Sequence, residues 1–159
     1  MTKDSQPFAG RIALPDPAAT VALGGRVVRG LATGDAVALE GDLGAGKTTL
    51  ARAILRALGV TEDVPSPTFT LVQIYETPLL TVRHYDLYRI ENAAEIDELG
   101  LDDALAEGAA LIEWPERAEA RLPSDALHIA LAPSGADSRI ATIRGPAKWA
   151  RYFEDAHVA

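Results

Sequence analysis

The sequence predicts an α/β fold: one domain over residues 1–159, with a mixed parallel and antiparallel central sheet flanked by helices. Three observations carry this. The apolar run AVALE at 36–40 passes directly into the glycine-rich GDLGAGKT of 41–48, and the segment that follows places Leu50, Ile54 and Leu58 four residues apart, which reads as buried strand, loop and helix. Segments with strand and helix character keep alternating downstream, the pattern of an α/β chain. Two β-rich runs, 69–75 and 79–86, flank only Glu76, Thr77 and Pro78, so an antiparallel hairpin interrupts the alternation and the sheet is expected to be mixed. Strand, GxxxxGK[ST] and helix in that order make the class P-loop NTPase-like.

The elements follow in order. A short strand is expected at 11–14. Asp16 followed by Pro17 is an N-cap with proline at the first helical position, opening a helix to about Leu31. Gly34 and Asp35 form a turn before the strand at 36–40. The helix at about 47–58 has Gly59 as its stop signal. Beyond the hairpin the sequence predicts helical segments at 92–98 and 101–106, a strand at 109–113, a helix from Pro115 to about Arg121, strands at 127–132 and 139–144, and a last helix at 146–156.

A chain of 159 residues can bury most of its apolar surface in one core without cross-links. With no cysteine, disulfides, thiol catalysis and thiolate metal sites are excluded. The first residues, MTKDSQPFAGRIALP, carry acidic and polar groups where a secretory signal has a long apolar run, and no stretch of about 18 apolar residues occurs elsewhere; a cytoplasmic protein without membrane association is expected. The 23 acidic against 15 basic residues give a charge of −8, a field that repels a phosphate backbone, so unaided nucleic-acid binding is not expected.

The loop of Gly41, Asp42, Leu43, Gly44, Ala45, Gly46, Lys47, Thr48 and Thr49 is the candidate nucleotide cradle. Its glycines permit backbone angles that turn successive N–H groups inward at a helix N-terminus, which suits phosphate. Lys47 is expected on the β- and γ-phosphates and the Thr48 hydroxyl on Mg²⁺ bridging them. Such a site needs carboxylates at neighbouring strand ends, and two segments supply them: TVRHYD ends on Asp86 and ALIE ends on Glu113. Either can serve as the Walker B acid, and together they can divide metal and water roles. Ser66 and Thr68, in the proline-stiffened VPSPTFT, sit where a γ-phosphate-sensing loop is plausible, although the composition equally describes a turn. Arg89 can bring positive charge to a transferring phosphoryl group or pair with Glu91 or Asp86 on the surface. His84 and Trp114 read as packing residues.

Other classes share a P-loop. A small-molecule kinase is the alternative, but no Arg-rich lid segment follows the loop. A regulatory GTPase would use DELG at 97–100 as its DxxG, but no NKxD for guanine is present, and DELG reads as a helix end with a glycine cap. A module that holds nucleotide as a plug or slow timer stays open, since phosphoryl transfer depends on positioning more than on a base.

Four segments together, GDLGAGKTTLARA at 41–53, SPTFTLVQIY at 66–75, HYDLYR at 84–89 and IEWPER at 112–117, resemble the TsaE (YjeE) family, the small ATPase of bacterial tRNA threonylcarbamoyladenosine (t6A) synthesis. The likeness in order and spacing fades after about Leu122. It implies ATP and Mg²⁺ as ligands, with Lys47 and Thr48 handling them, Glu113 in the Walker B place and Asp86 required for hydrolysis. It makes Ser66 and Thr68 a switch-like segment and gives Trp114, beside Glu113, more than a packing role. Glu95 and Glu98 match the family's acidic helix. It further implies TsaD and TsaB as protein partners, with tRNA reached only through that complex and hydrolysis resetting or activating it.

Overall fold

The computed structural model describes residues 7–156; residues 1–6 and 157–159, the outer ends of the expected 1–159 domain, lie outside the described residues. Seven strands form one sheet in the order β1-β7-β6-β2-β5-β4-β3. These are β1 (Phe8–Leu14), β2 (Ala36–Glu40), β3 (Val72–Glu76), β4 (Thr81–Asp86), β5 (Gly108–Glu113), β6 (Leu127–Pro133) and β7 (Arg139–Gly145). The central four, β6, β2, β5 and β4, run parallel; β7 with β1 at one edge and β3 at the other add antiparallel pairs. The mixed sheet read from the hairpin is therefore present.

Alternation sorts the side chains between two faces. Val37, Leu39, Leu111 and Ile129 point to the face covered by α1 (Pro17–Gly30) and α2 (Lys47–Ala57), where they meet Leu23, Val27, Leu50 and Ile54. Ala36, Ala110, Ile112 and Tyr85 point to the other face, under a 3₁₀ segment at Ala93–Leu99 and α3 (Leu101–Glu107), with Ile96, Leu101 and Ala104. Parallel strands buried on both faces read as continuous apolar runs, which is why AVALE and GAALIE are so uniformly apolar.

Local chemistry fixes the element ends. The Asp16 carboxylate accepts from Ala19 N at 2.9 Å with Pro17 in the first turn of α1. The helices α1 and α2 touch so closely at Gly24 that a Cβ there would lie 2.8 Å from the Ala53 carbonyl carbon.

Several boundaries differ from the sequence reading. The strand expected from Phe69 begins at Val72, because Thr68–Thr70 form a turn and Leu71 has φ 69°. Its partner begins at Thr81, not Leu79: the Thr77 hydroxyl donates to Leu80 O at 2.7 Å and accepts from the Leu79 and Leu80 N–H groups, holding a turn at 77–80. The first strand is longer than 11–14 because all seven of its residues, Phe8 to Leu14, pair with β7. Residues 93–99 are 3₁₀, entered through a capping box in which Asn92 and Glu95 satisfy each other's backbone, and left through Gly100 at φ 70°; Glu95 of the acidic segment thus has a structural role, and DELG is a helix end. The helix expected from Pro115 to Arg121 is two short 3₁₀ turns, Pro115–Arg117 and Glu119–Arg121. The last one is a 3₁₀ segment at Ala147–Tyr152 instead of a helix at 146–156, with Trp149 and Phe153 buried in the core.

Among the described residues, no helix is long and apolar enough to cross a membrane.

Candidate functional site

The loop between β2 and α2 lies at the carboxyl ends of the parallel strands. Two glycines make its path possible. Gly41, at φ 143°, passes so close to β6 that a Cβ would meet Leu131 O at 2.7 Å and Ala45 Cβ at 2.9 Å. Gly46 caps α2 from the left-handed region at φ 106°. The first N–H groups of a helix have no intrahelical acceptor, and those of Lys47, Thr48 and Thr49 stand at the edge of a cleft of about 270 Å³.

That cleft is lined by Lys47, Thr48, Ser66, Thr68, Asp86 and Glu113, with Leu43, Gly44, Trp114 and Arg139 also contributing. Asp86 and Glu113 end adjacent parallel strands and are register partners, so both carboxylates arrive at the same level facing α2. They are buried, as is Lys47, which is 5 % exposed. The Thr48 hydroxyl donates to Glu113, 2.8 Å to Oε1 and 3.0 Å to Oε2. Asp86 Oδ2 accepts from Thr68 at 2.9 Å and from Ser66 at 3.3 Å, while its Oδ1 accepts from Tyr88 N at 2.9 Å. The VPSPTFT segment and the HYDLYR segment are thereby tied together at one carboxylate.

Lys47 folds back onto its own loop. Its Nζ donates to Gly41 O at 2.5 Å and Asp42 O at 2.9 Å, and stands 4.1 Å from the centre of the Trp114 ring, a cation–π contact. Burial lowers its pKa from the ordinary lysine value, and the negative charges of Glu113 and Asp86 oppose that effect. Trp114 takes up this position with φ 57° and leans on Tyr88 at 5.0 Å between ring centres.

The donors fit a hard divalent cation that brings its own oxygen ligands. One hydroxyl and one or two carboxylates are what Mg²⁺ takes from a protein when phosphate and water complete its octahedron. No group of three or more His, Cys, Asp or Glu able to hold a metal by themselves occurs among the described residues.

Arg89 is not brought into the cleft lining; its guanidinium lies 5.1 Å from the ring centre of Phe69, which is 82 % exposed. Among the described residues it has no ion pair with Glu91 or Asp86. Two groups that touch the site were not among the expected site residues. Arg139, at the start of β7, donates from Nε to Ala45 O at 3.0 Å and lines the cleft; no local motif marks it, because only the β6–β7 hairpin register carries it to the loop. His84 is fully buried with Nε2 2.7 Å from Glu113 Oε2; its signal was present, two residues before Asp86 and so on the same strand face.

The fold and the loop define an α/β protein of the P-loop class, with a GxxxxGKT turn between a central parallel strand and a helix. Residues 14–141 match the family described as Threonylcarbamoyl adenosine biosynthesis protein TsaE, and the chain belongs to that family. It is 43% identical over 107 residues to the tRNA threonylcarbamoyladenosine biosynthesis protein TsaE of Bacillus subtilis (strain 168), covering 67% of this chain and 66% of that one. To the protein of the same name from Mycobacterium bovis it is 39% identical over 145 residues, 84% of this chain and 85% of the relative. Among solved structures, that of Bacillus subtilis YdiB superposes with a TM-score of 0.78 at 30% identity, covering 94% of this chain and 95% of that one.

Proposed function

We propose that the chain is the ATP-binding and ATP-hydrolysing component of tRNA N6-threonylcarbamoyladenosine synthesis, a cytoplasmic Mg²⁺-dependent ATPase that acts with the TsaD and TsaB proteins and reaches tRNA only through them. The observation that carries this is the meeting of Lys47 and Thr48, from the start of α2, with Asp86 and Glu113, from the ends of β4 and β5, around one cleft. The names of the relatives support the pathway.

In this reading the N–H groups of the 41–49 loop bind the phosphates and Lys47 exchanges its Gly41 and Asp42 carbonyl partners for phosphate oxygens. Mg²⁺, when bound with the triphosphate, supplies charge neutralisation at the β- and γ-phosphate oxygens. Thr48 and Glu113 would hold it. Asp86, already hydrogen-bonded to Ser66 and Thr68, orients the attacking water, and the Ser66–Thr68 segment moves with the γ-phosphate. Trp114 walls the cleft beside Lys47.

Hydrolysis depends on positioning, so turnover by the isolated chain is expected to be slow and partner-stimulated. The test is Mg²⁺-dependent ATP hydrolysis by the chain alone and with TsaD and TsaB, with Lys47→Ala as the blank. Stimulation that Lys47→Ala abolishes supports the proposal; no stimulation, with phosphate passing to a small acceptor, points to the kinase class.

A further inference from the structure

The imidazole of His84 is 0 % exposed and lies among the residues of the α1–α2 face of the sheet, two positions before Asp86 on β4. Its Nε2 is 2.7 Å from Glu113 Oε2, and its Nδ1 is buried without any hydrogen-bond partner. A carboxylate only accepts, so the contact assigns a proton to Nε2 and leaves Nδ1 as the orphan atom.

Packing alone does not favour such a group. An apolar side chain of similar volume would fill the same space and leave no buried polar atom unsatisfied. What the imidazole adds is one N–H aimed at one oxygen of Glu113. Among the described residues the other side chain on that carboxylate is Thr48, whose hydroxyl oxygen keeps lone pairs for a cation while its hydrogen points at Glu113. The Thr48 hydrogen is shared between Oε1 and Oε2, so the His84 bond is the one that singles out Oε2 and fixes how the carboxylate is turned.

We infer that His84 is a positioning residue for Glu113, holding its carboxylate in the orientation in which it serves Mg²⁺ together with Thr48. This rests on the proposed nucleotide and Mg²⁺ site. Groups that hydrogen-bond a metal-ligating side chain change metal affinity by about 10–100-fold when removed.

The test compares His84→Leu, which fills the space without a donor, with His84→Gln, whose amide can reach Glu113 and donate. His84→Asn, polar but too short to reach, serves if His84→Leu does not fold. ATP affinity is measured by calorimetry in EDTA and across a Mg²⁺ titration, with kcat and KM for hydrolysis alongside, and ¹⁵N NMR of the imidazole reads the tautomer. Expected are a proton on Nε2 in the parent and affinity in EDTA within about twofold for all variants. The Mg²⁺ concentration at half effect should rise at least about tenfold in His84→Leu, with kcat falling and KM little changed, and His84→Gln should recover most of both. Unchanged Mg²⁺ dependence in His84→Leu, or equal impairment of Leu and Gln variants, overturns the inference and leaves His84 a core residue. A parent whose nucleotide binding ignores Mg²⁺ overturns the underlying site reading instead, and the inference with it.

Discussion

Thr48 and Glu113, 65 residues apart in the chain, are joined by a hydroxyl that donates to both oxygens of one carboxylate at 2.8 and 3.0 Å. The helix that begins at the loop and the strand that ends beside it are thereby locked in register at the cleft. A hydroxyl whose hydrogen points at a carboxylate keeps its oxygen lone pairs available, so the pair is arranged to receive a cation between phosphate and strand end.

Thr48→Val removes that hydroxyl with little change in shape. The Mg²⁺-dependent gain in ATP affinity is expected to drop about tenfold, equivalent to about 1.4 kcal/mol, with a smaller change in EDTA, and Thr48→Ser should restore it. Calorimetric titrations with and without Mg²⁺ decide; an unchanged Mg²⁺ gain in Thr48→Val removes Thr48 from the metal site.

Lys47 and Trp114 make a second prediction. Because the ammonium lies 4.1 Å from the Trp114 ring centre, a triphosphate that draws Lys47 away alters the surroundings of that indole. The other of the two tryptophans, Trp149, is buried in the core. Nucleotide binding should change tryptophan fluorescence in the parent, and Trp114→Phe should abolish the change while retaining binding. Lys47→Ala should weaken triphosphate binding by about 1.5–3 kcal/mol, the range for a hydrogen bond to a charged group. Equal affinity in Lys47→Ala would falsify the cradle assignment.

Much of this arrangement was legible in the residues. The GxxxxGKT spacing, with an apolar strand before it and a four-residue apolar period after it, located the loop, and the carboxylates at two strand ends located the acids. Where the reading slipped, tertiary contacts overrode local preference. Phe69 has strand propensity but stands exposed under Arg89, because Leu71 at φ 69° bends the chain so that Thr68 can reach Asp86. Residues 146–156 carry a helical pattern, yet Ala147–Tyr152 winds as 3₁₀ so that Trp149, Tyr152 and Phe153 pack together, with Gly30 of α1 leaving space for the Trp149 and Tyr152 rings. Arg139 was invisible because its role depends on which strand β7 pairs with, a non-local fact.

Asp86 and Glu113 should separate binding from chemistry. At saturating Mg²⁺, Asp86→Ala and Glu113→Ala are expected to spare ATP binding more than hydrolysis, which falls at least about tenfold. Asp86→Asn is the cleaner variant, since its amide oxygen can still accept from Tyr88 N and preserve the turn after β4. Parent-like hydrolysis in both alanine variants would remove these carboxylates from the metal and water roles.

Glu40 gives a pH-dependent prediction away from the cleft chemistry. Its carboxylate is held below the ordinary value of 4.5, first by the hydrogen bond with His128 and further by the charges of His128 and Arg144, against the opposing effect of burial. A carboxylate with a lowered folded-state pKa binds fewer protons folded than unfolded in the window just below 4.5, so its stabilisation is present above that pH and is lost as pH falls through the folded value. Urea unfolding should show the parent more stable than Glu40→Gln at pH 7 and the gap closing in acid below about 4.5. Parallel stability profiles for the two proteins across that range count against the interaction.

Gly24 and Gly25 test the seam that seats the P-loop helix. Both lie inside α1, where glycine costs about 0.5–1 kcal/mol relative to alanine, so propensity alone favours alanine at either. Space separates them: a Cβ at Gly24 meets the Ala53 carbonyl carbon and Cβ at 2.8 Å, whereas at Gly25 nothing lies within 4 Å. The Ala53 contact is with backbone, which cannot yield as a flexible side-chain tip would, and overpacking of this kind typically costs about 1–3 kcal/mol. Gly25→Ala should therefore stabilise by about 0.5–1 kcal/mol, and Gly24→Ala should destabilise by about 1–2 kcal/mol in denaturant unfolding. Because α2 begins at Lys47, pushing the helices apart should also loosen the loop, so Gly24→Ala is expected to bind ATP more weakly even where it is fully folded. Stabilisation by both substitutions would show that α1 and α2 are not in contact at this point, and the seating of the loop would need another cause.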